Sequence, residues 1–445
     1  MIKYGLSIIL ALSLVVGKSQ GDSTGSVFSL SQALEYATEN SNKAKRAAAQ
    51  VEITVKKKKE VRAIGLPQIN GEVKFQNFLD IPTTLVPANA FNPLAPEDEF
   101  AALQFGTDYS TSAGLTASQL LFDGSYLVGL KIADDYTGLY TQQEEKTLIE
   151  IKDDVTKAYY NALVAFETKD LLLETLKSMQ KTLQDIIAMN EAGFIDELSV
   201  DQQKLQVSSL ESKILSVDRQ INMGLDFLKL NMGMEISDPI TLTDNLSNIV
   251  AELNYEDLSN QNFSIEKSID YRILQTSQNI LKLSLQNEQF ANLPSLSAYF
   301  SHTQNNMGND IDFETWYPTT LWGINASIPI FGSGSRMYKS QIAKIEVERG
   351  EMQMTEVEQA LKMASSSAKS ELMNAYEQNL IAKKNVEISD RILSTTTTKF
   401  KEGVASSLEL AQAQAQQIEI QQQYVQSLFQ LLNAKTKLDK AHNNY

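Results

Sequence analysis

Gly114-Leu115-Thr116-Ala117-Ser118-Gln119-Leu120-Leu121-Phe122-Asp123-Gly124-Ser125 returns further along the chain as Gly323-Ile324-Asn325-Ala326-Ser327-Ile328-Pro329-Ile330-Phe331-Gly332-Ser333-Gly334-Ser335, at an offset of 209. Two further pairs flank it. Leu66-Pro67-Gln68-Ile69 recurs as Leu293-Pro294-Ser295-Leu296 at an offset of 227, and Ala192-Gly193-Phe194 with Leu198 recurs as Glu402-Gly403-Val404 with Leu408 at 210. Self-similarity at a fixed distance, with the anchors in the same order, means one structural unit written twice. The offset changes by 18 between the first two anchors, so the length difference lies in the segment carrying Pro82, Pro87, Pro93 and Pro96. Insertions belong in loops, and that segment is read as a loop.

Each copy reads as helix, Leu-Pro break, strand, loop, strand, turn, very long helix, short glycine turn and helix. The strands alternate at period two. Tyr109, Ala113, Leu115 and Ala117 face away from Ser110, Ser112, Gly114, Thr116 and Ser118, and Trp322, Ile324, Ala326 and Ile328 face away from Leu321, Gly323, Asn325 and Ser327. A half-buried strand of a soluble sheet shows the same alternation as a barrel strand. Strands are expected near 69–79, 107–121, 295–305 and 317–330, and each is also about the length that crosses an outer membrane when tilted. Four strands do not close a barrel, since transmembrane barrels need about eight or more. Open edges are not tolerated in lipid. Several chains must then contribute, and three chains with twelve strands are preferred to two with eight, whose bore would be filled by side chains.

The nine prolines leave residues 97–238 and 330–445 free of any, so both tracts can be long helices. Ile151, Val155, Ala158, Ala162, Ala165, Leu172, Leu176, Met179, Leu183 and Ile186 form a coiled-coil stripe broken only by Lys169. The last tract carries two stripes. One runs through Leu408, Ala411, Ala415, Ile418, Val425, Phe429 and Leu432, the other through Leu410, Ala413, Ile420, Tyr424, Leu428, Leu431 and Leu438. A helix with two apolar seams packs on both sides.

Composition removes several classes of function. With no cysteine, disulfides, cysteine nucleophiles and cysteine zinc sites are excluded, and His302 and His442 stand far apart. Lys plus Arg (39) trail Asp plus Glu (55) in a chain of net charge −16, so nucleic acid is not an expected partner. The dense basic run Lys56–Lys59 is read as a solvated helix face rather than a phosphate site. Lys3 and the apolar Gly5–Gly17, followed by Ser19 and Gly21, have the layout of a secretory signal over residues 1–20. Its removal, with Lys3 and Lys18, takes the charge from −16 to −18. No cysteine follows it, so no lipid anchor is expected at the amino terminus.

Phe331-Gly332-Ser333-Gly334-Ser335 lacks the Lys-Ser/Thr ending of a phosphate loop and reads as a strand-to-helix turn. Asp134-Asp135 and Asp153-Asp154 are adjacent on helices, point in different directions and are read as solvated. His302 lies in a strand without a foreseen partner, and Trp316, Tyr317 and Trp322 suit either an interfacial aromatic girdle or plain strand propensity. No nucleophile, base or metal constellation can be assigned, so no enzyme, catalytic residue, metal or cofactor is expected.

Taken in order and duplicated, Leu30-Ser31-Gln32-Ala33-Leu34, the Leu-Pro breaks, Gln119-Leu120-Leu121-Phe122-Asp123-Gly124 with its partner Pro329-Ile330-Phe331-Gly332-Ser333-Gly334, and the glycine turns resemble the TolC-like outer-membrane efflux proteins of Gram-negative bacteria. The resemblance covers essentially the whole mature chain. It implies a mainly α fold in which long antiparallel coiled-coil helices form an α-barrel across the periplasm. Four strands per chain then build a trimeric twelve-stranded β-barrel in the outer membrane. It divides the chain into a first repeat over 28–234 with its strand pair at 69–121, a segment encircling the helical barrel over 235–262, and a second repeat over 263–443 with its strand pair at 295–330. The encircling segment carries Pro239, Asp244, Glu252, Glu256 and Asp257.

The resemblance also implies a homotrimeric channel, in contact with outer-membrane lipid, that joins a periplasmic adaptor and an inner-membrane pump. Its cargo would be small toxic molecules or a secreted polypeptide. The adaptor would dock on the helix turns, here Gly193, Phe194 and Leu198 with Gly403, Val404 and Leu408. The basic residue that some relatives place after the second turn glycine is missing, because Val404, Ala405, Ser406 and Ser407 follow instead. Glu191, Asp196, Glu197, Asp201, Glu402 and Glu409 surround the turns. Repeated threefold they make a cation-attracting mouth, or else they stabilise the starts of the second helices. The alternative for the whole chain is an exported structural coiled-coil protein of the envelope without a pore.

Overall fold

The computed structural model describes residues 26–444 except 92, 95, 97, 99, 252, 254 and 256–261. The expected signal over 1–20 and the acidic Glu252, Glu256 and Asp257 lie outside the described residues. The chain forms two compact units, one of Met1–Ser41, Asp154–Leu253 and Gln378–Leu432, the other of Asn42–Asp153, Asn254–Glu377 and Asn433–Tyr445.

The second unit is built on a sheet. Helix α2 (Asn42–Ile64) leads through the Leu66-Pro67 break into β2 (Gln68–Asn77), and β5 (Tyr109–Phe122) leads into the long α3 (Gly124–Glu191). The second copy repeats this with α6 (Ile269–Phe290), β7 (Ser295–Gly308), β8 (Tyr317–Ser327) and α7 (Ser335–Lys401). The four strands pair antiparallel in the order β2-β5-β7-β8. Asp123 explains the Phe-Asp-Gly turn, because its Oδ1 accepts the Tyr126 amide at 2.8 Å and caps α3. Registers put Ile69, Val73, Phe75, Leu115, Phe300, Trp322 and Ile324 on one face of the sheet, and Asn70, Glu72, Lys74, Ser112, Thr116, Ser301, Thr319 and Asn325 on the other. The apolar face is bare, with Val73 78%, Ile69 73% and Trp322 75% exposed.

The proline-rich segment departs from the expected loop. β3 (Thr83–Pro87) and β4 (Phe100–Gln104) pair antiparallel within it, because alternating residues on both arms can continue the ribbon that β2 and β5 begin. Asp153 is also not solvated as expected. It is 2% exposed and takes the Lys440 ammonium at 2.7 Å, because the end of α8 (Ser407–His442) packs on this turn of α3. Asp134 binds Lys58 at 2.6 Å and Asp135 accepts from Asn279 at 2.5 Å, so these too have partners. His302 has one as well, with Thr320 Oγ1 2.7 Å from its Nδ1 across the β7–β8 pair. The Arg272 guanidinium grips Glu145 through both nitrogens at 2.8 and 3.0 Å, fastening α6 to α3.

The first unit is built of helical hairpins. α4 (Glu197–Met232) folds back on α3, and α8 folds back on α7. The paired long helices have 68 and 67 residues and the paired shorter ones 36 each, so the duplication read from the sequence is present in the fold. A helix of 68 residues is roughly 100 Å long. Leu172, Met179, Val207, Leu210, Ile214, Val217 and Ile221 form the core between α3 and α4. Lys169, the break in the seam, reaches across to Asp218 at 2.6 Å. Both seams of α8 are occupied, with Leu410, Val425, Leu428, Leu431, Leu432 and Leu438 buried.

The first described residues are fixed in the same unit. β1 (Ser26–Phe28) pairs parallel with β6 (Ile240–Leu242), and Ser29 with Gln32 caps α1 (Leu30–Asn40) as a reciprocal box. Tyr159, fully buried, donates to Phe28 O at 3.0 Å and to Asp244 Oδ2 at 2.9 Å, while Asp244 Oδ2 also accepts the Leu30 amide. Burial first, then the Asp244 hydrogen bond, push the Tyr159 hydroxyl well above the ordinary phenol range. A short α5 (Leu246–Ala251) follows β6.

Candidate functional site: the paired helix turns

Two turns join the hairpins, and both use the same backbone device. At the first, Gly193 takes φ +79° while the Phe194 amide returns to Met189 O at 2.9 Å and the Gly193 amide to Asn190 O at 2.9 Å. At the second, Gly403 takes φ +75°, with Val404 N to Lys399 O at 2.8 Å and Gly403 N to Phe400 O at 3.0 Å. This is the left-handed helix ending that glycine adopts without penalty. An added Cβ would meet nothing within 4 Å at either position, so the requirement is conformational rather than one of space.

The six residues expected at a docking surface lie at matching places on the two turns and are open to solvent. Phe194 is 79% and Leu198 62% exposed, against 73% for Val404 and 56% for Leu408. Beneath them Ile186, Val200, Phe400 and Leu410 are buried together, with Met189, Ile195 and Ala405 against them. Polar contacts tie one turn to the other: Ser407 Oγ lies 3.0 Å from Ser199 Oγ and 3.3 Å from Gln202 Oε1, and Lys401 pairs with Asp185 at 3.0 Å. The cleft between the turns is lined by Gly193, Phe194, Ile195, Phe400, Gly403 and Ala405 among others.

The six acidic residues divide into groups. Asp196 is the cap of α4, accepting the Ser199 amide at 3.0 Å and the Ser199 hydroxyl at 2.6 Å. Those bonds hold its carboxyl below the ordinary range. Glu409 accepts the Ser406 amide at 2.7 Å and hydroxyl at 3.1 Å, while the Glu409 amide donates to Ser406 Oγ, which closes a capping box on α8. Its carboxyl is likewise held low, by the Ser406 backbone bond first. Asp201 pairs with Lys204 at 3.1 Å. Glu191, Glu197 and Glu402 are exposed near the turns. Helix-start stabilisation is therefore the observed task of Asp196 and Glu409, whose charges remain at the turns.

Reading the sequence only after the second turn glycine missed Lys401, which stands before it. The signal available was the pair Lys399 and Lys401 at the end of the long helix, next to the second turn glycine. Among the described residues no group of three or more His, Cys, Asp or Glu is placed to hold a metal, and no helix is long and apolar enough to cross a membrane.

Long paired hairpins, an amphipathic four-stranded sheet and two glycine turns define the class of fold. Residues 284–444 match the sequence profile of the outer membrane efflux protein family. The fold is shared with the transmembrane channel protein CusC at a TM-score of 0.74 and 16% identity, over 93% of this chain and 91% of that one. It is shared with the outer membrane protein VceC of Vibrio cholerae at 0.70 and 14%, over 93% and 95%. For the open state of the MtrE outer membrane channel of Neisseria gonorrhoeae the figures are 0.72 and 16%, over 93% and 88%. No curated protein matches the chain by sequence. The resemblance drawn from the motifs is thus met in fold over 93% of the chain and in sequence pattern over most of the second copy.

Proposed function

We propose that the chain is one third of an outer-membrane conduit, working with a periplasmic adaptor and an inner-membrane pump to export small toxic molecules or a secreted polypeptide. The observation that carries this reading is the sheet. One face is apolar and exposed, the other is polar, and β2 and β8 are its outer strands. Such a sheet suits lipid on one side and a wet lumen on the other, but its edges cannot end in hydrocarbon. Three copies closing β8 on the β2 of the next give twelve strands and a bore wide enough to pass solutes. A fibrous envelope protein has no use for such a sheet.

The exposed Phe194, Leu198, Val404 and Leu408 suit the adaptor contact, since apolar side chains flanking tight turns make a compact docking knob. The carboxylates around them suit the mouth. Cysteines at Lys74 and Leu321, one on each edge strand, test the closure cleanly in a chain without native cysteine. Short bifunctional thiol reagents are expected to give covalent dimers and trimers and nothing larger. Monomer alone, or an unlimited ladder, contradicts the proposal.

A further inference from the structure

The strongest charge on the molecule has the wrong sign for the rest of it. In a chain of net charge −16, α2 holds eight basic residues (Lys43, Lys45, Arg46, Lys56, Lys57, Lys58, Lys59 and Arg62) against two acidic ones, Glu52 and Glu60. Six of those excess charges are not required by the fold, because the second copy supplies a control. α6 occupies the same place before its Leu-Pro break and carries two basic residues, Arg272 and Lys282, against two acidic ones, Asp270 and Glu288. At the offset of 227, Lys56–Arg62 is replaced there by Leu283-Ser284-Leu285-Gln286-Asn287-Glu288-Gln289. Solubility does not account for the difference, since a solvated helix face can carry either sign and the rest of the chain uses acid.

Position supplies the missing reason. The carboxy-terminal end of α2 is locked to the base of the sheet: Tyr126 Oη donates to Arg62 O at 3.1 Å, Gln119 Nε2 donates to Gly65 O, and Lys58 pairs with Asp134 at 2.6 Å. β2, with Ile69 on the apolar face, begins at Gln68. From Lys57 to the helix end at Ile64 is about 10 Å at 1.5 Å per residue, comparable to the physiological Debye length of about 8 Å. Lys57, Lys59 and Arg62 are exposed, and among the described residues none of the three side chains makes an ion pair. Beside them Ile64 and Leu66 are also exposed, at 58% and 54%. Basic side chains next to exposed apolar ones, at the point where a sheet meets lipid, are the arrangement of an interfacial anchor.

We propose that the basic end of α2 binds the phosphates of anionic phospholipid headgroups in the leaflet on the helix side of the sheet. The inference rests on the reading of the sheet as membrane-embedded. Attraction of this kind is local, additive over the basic residues and weakened by salt. It gives the first copy a lipid-binding role that the second lacks, so a trimer would present three such sites around the wall.

The test uses the full mature chain reconstituted in phosphatidylcholine bilayers containing trace spin-labelled lipid. Electron spin resonance resolves the motionally restricted lipid at the protein surface. For the unaltered protein at low salt, labelled phosphatidylglycerol is expected to associate about fivefold or more over labelled phosphatidylcholine, with the preference falling towards equality at molar salt. The triple variant Lys57→Gln, Lys59→Gln, Arg62→Gln is expected to show equal association, while Lys282→Gln in α6 keeps the preference. Equal association in the unaltered protein, or an unchanged preference in the triple variant, overturns the proposal. A protein that enters the bilayer without headgroup preference defeats this proposal alone, whereas one with no restricted lipid at all defeats the membrane reading and this proposal with it.

Discussion

The two copies of the repeat build the same elements in the same order, yet they differ in three places. The first has the basic α2 where the second has the neutral α6, and the first carries the β3–β4 hairpin where the second has only the stretch between Gly308 and Tyr317. The third difference is at the turns, where Asp196 caps α4 by itself while Ser406 and Glu409 share the cap of α8. What is common to both copies is therefore what the fold requires: the Leu-Pro break, the amphipathic strands and the left-handed glycine. What is private to one copy is free to carry function, and the lipid contact proposed for α2 belongs there.

The equivalence of the turns can be broken by charge. Gly193→Asp and Gly403→Asp each force a side chain into a left-handed backbone and place a carboxylate at the proposed docking knob. Each is expected to abolish efflux, measured as dye export, while trimers remain in outer-membrane extracts. Retained efflux in either variant would show that only one turn docks the adaptor.

The hairpins differ in their interiors, and stability measurements sharpen that. Leu172→Ala opens the apolar α3–α4 core and is expected to cost about 2–5 kcal/mol. In the other hairpin Asn379 Nδ2 donates to Ser427 Oγ at 2.9 Å between buried side chains. Asn379→Ala there is expected to cost about 1–3 kcal/mol. Chemical denaturation of the detergent-solubilised protein ranks the two, and a reversed order would contradict the packing described.

The caps respond to acid in the same direction despite their different construction. Both carboxyls lie below their ordinary values of 3.8 and 4.5, so the stability they give is complete above those values and is lost as pH falls through the lower folded-state ones. Amide exchange protection at Ser199 and Ser406 is expected to hold at neutral pH and to drop only once the pH has fallen below the ordinary carboxyl values of 3.8 and 4.5 respectively. Asp196→Asn and Glu409→Gln remove that pH response at their own turn only. The smallest effect belongs to the mouth. Glu402→Gln with Glu409→Gln is expected to weaken block by divalent cations several-fold at constant ionic strength, and unchanged block would leave Glu409 only its cap at the start of α8 and Glu402 no part in a cation-attracting mouth.

Most of the fold could be read before it was seen, because period and repetition survive in a single sequence. The stripe from Ile151 to Ile186 and the alternation from Tyr109 to Ala117 report directly which side of each element is covered. The departures share a cause. Helix spacing puts Asp153 and Asp154 in different directions but does not report which side is covered, and the environment of Asp153 is set by Lys440, 287 residues away. The same holds for His302 and Thr320, brought together by strand register. The β3–β4 hairpin was hidden by its prolines, which sit at the strand end Pro87 and in the connection rather than in the paired interior. At the turns, residue positions were legible from the repeat, but the division of the carboxylates between caps and open charge depended on hydrogen bonds that spacing does not report.

The central claim is that this chain encloses a water-filled passage through a membrane. Purification from detergent-extracted outer membranes, followed by single-channel recording in planar bilayers, tests it most directly. A trimer giving uniform, long-lived conductance steps is the predicted result. A water-soluble monomer, or a membrane-extracted trimer that inserts without conductance, would contradict it.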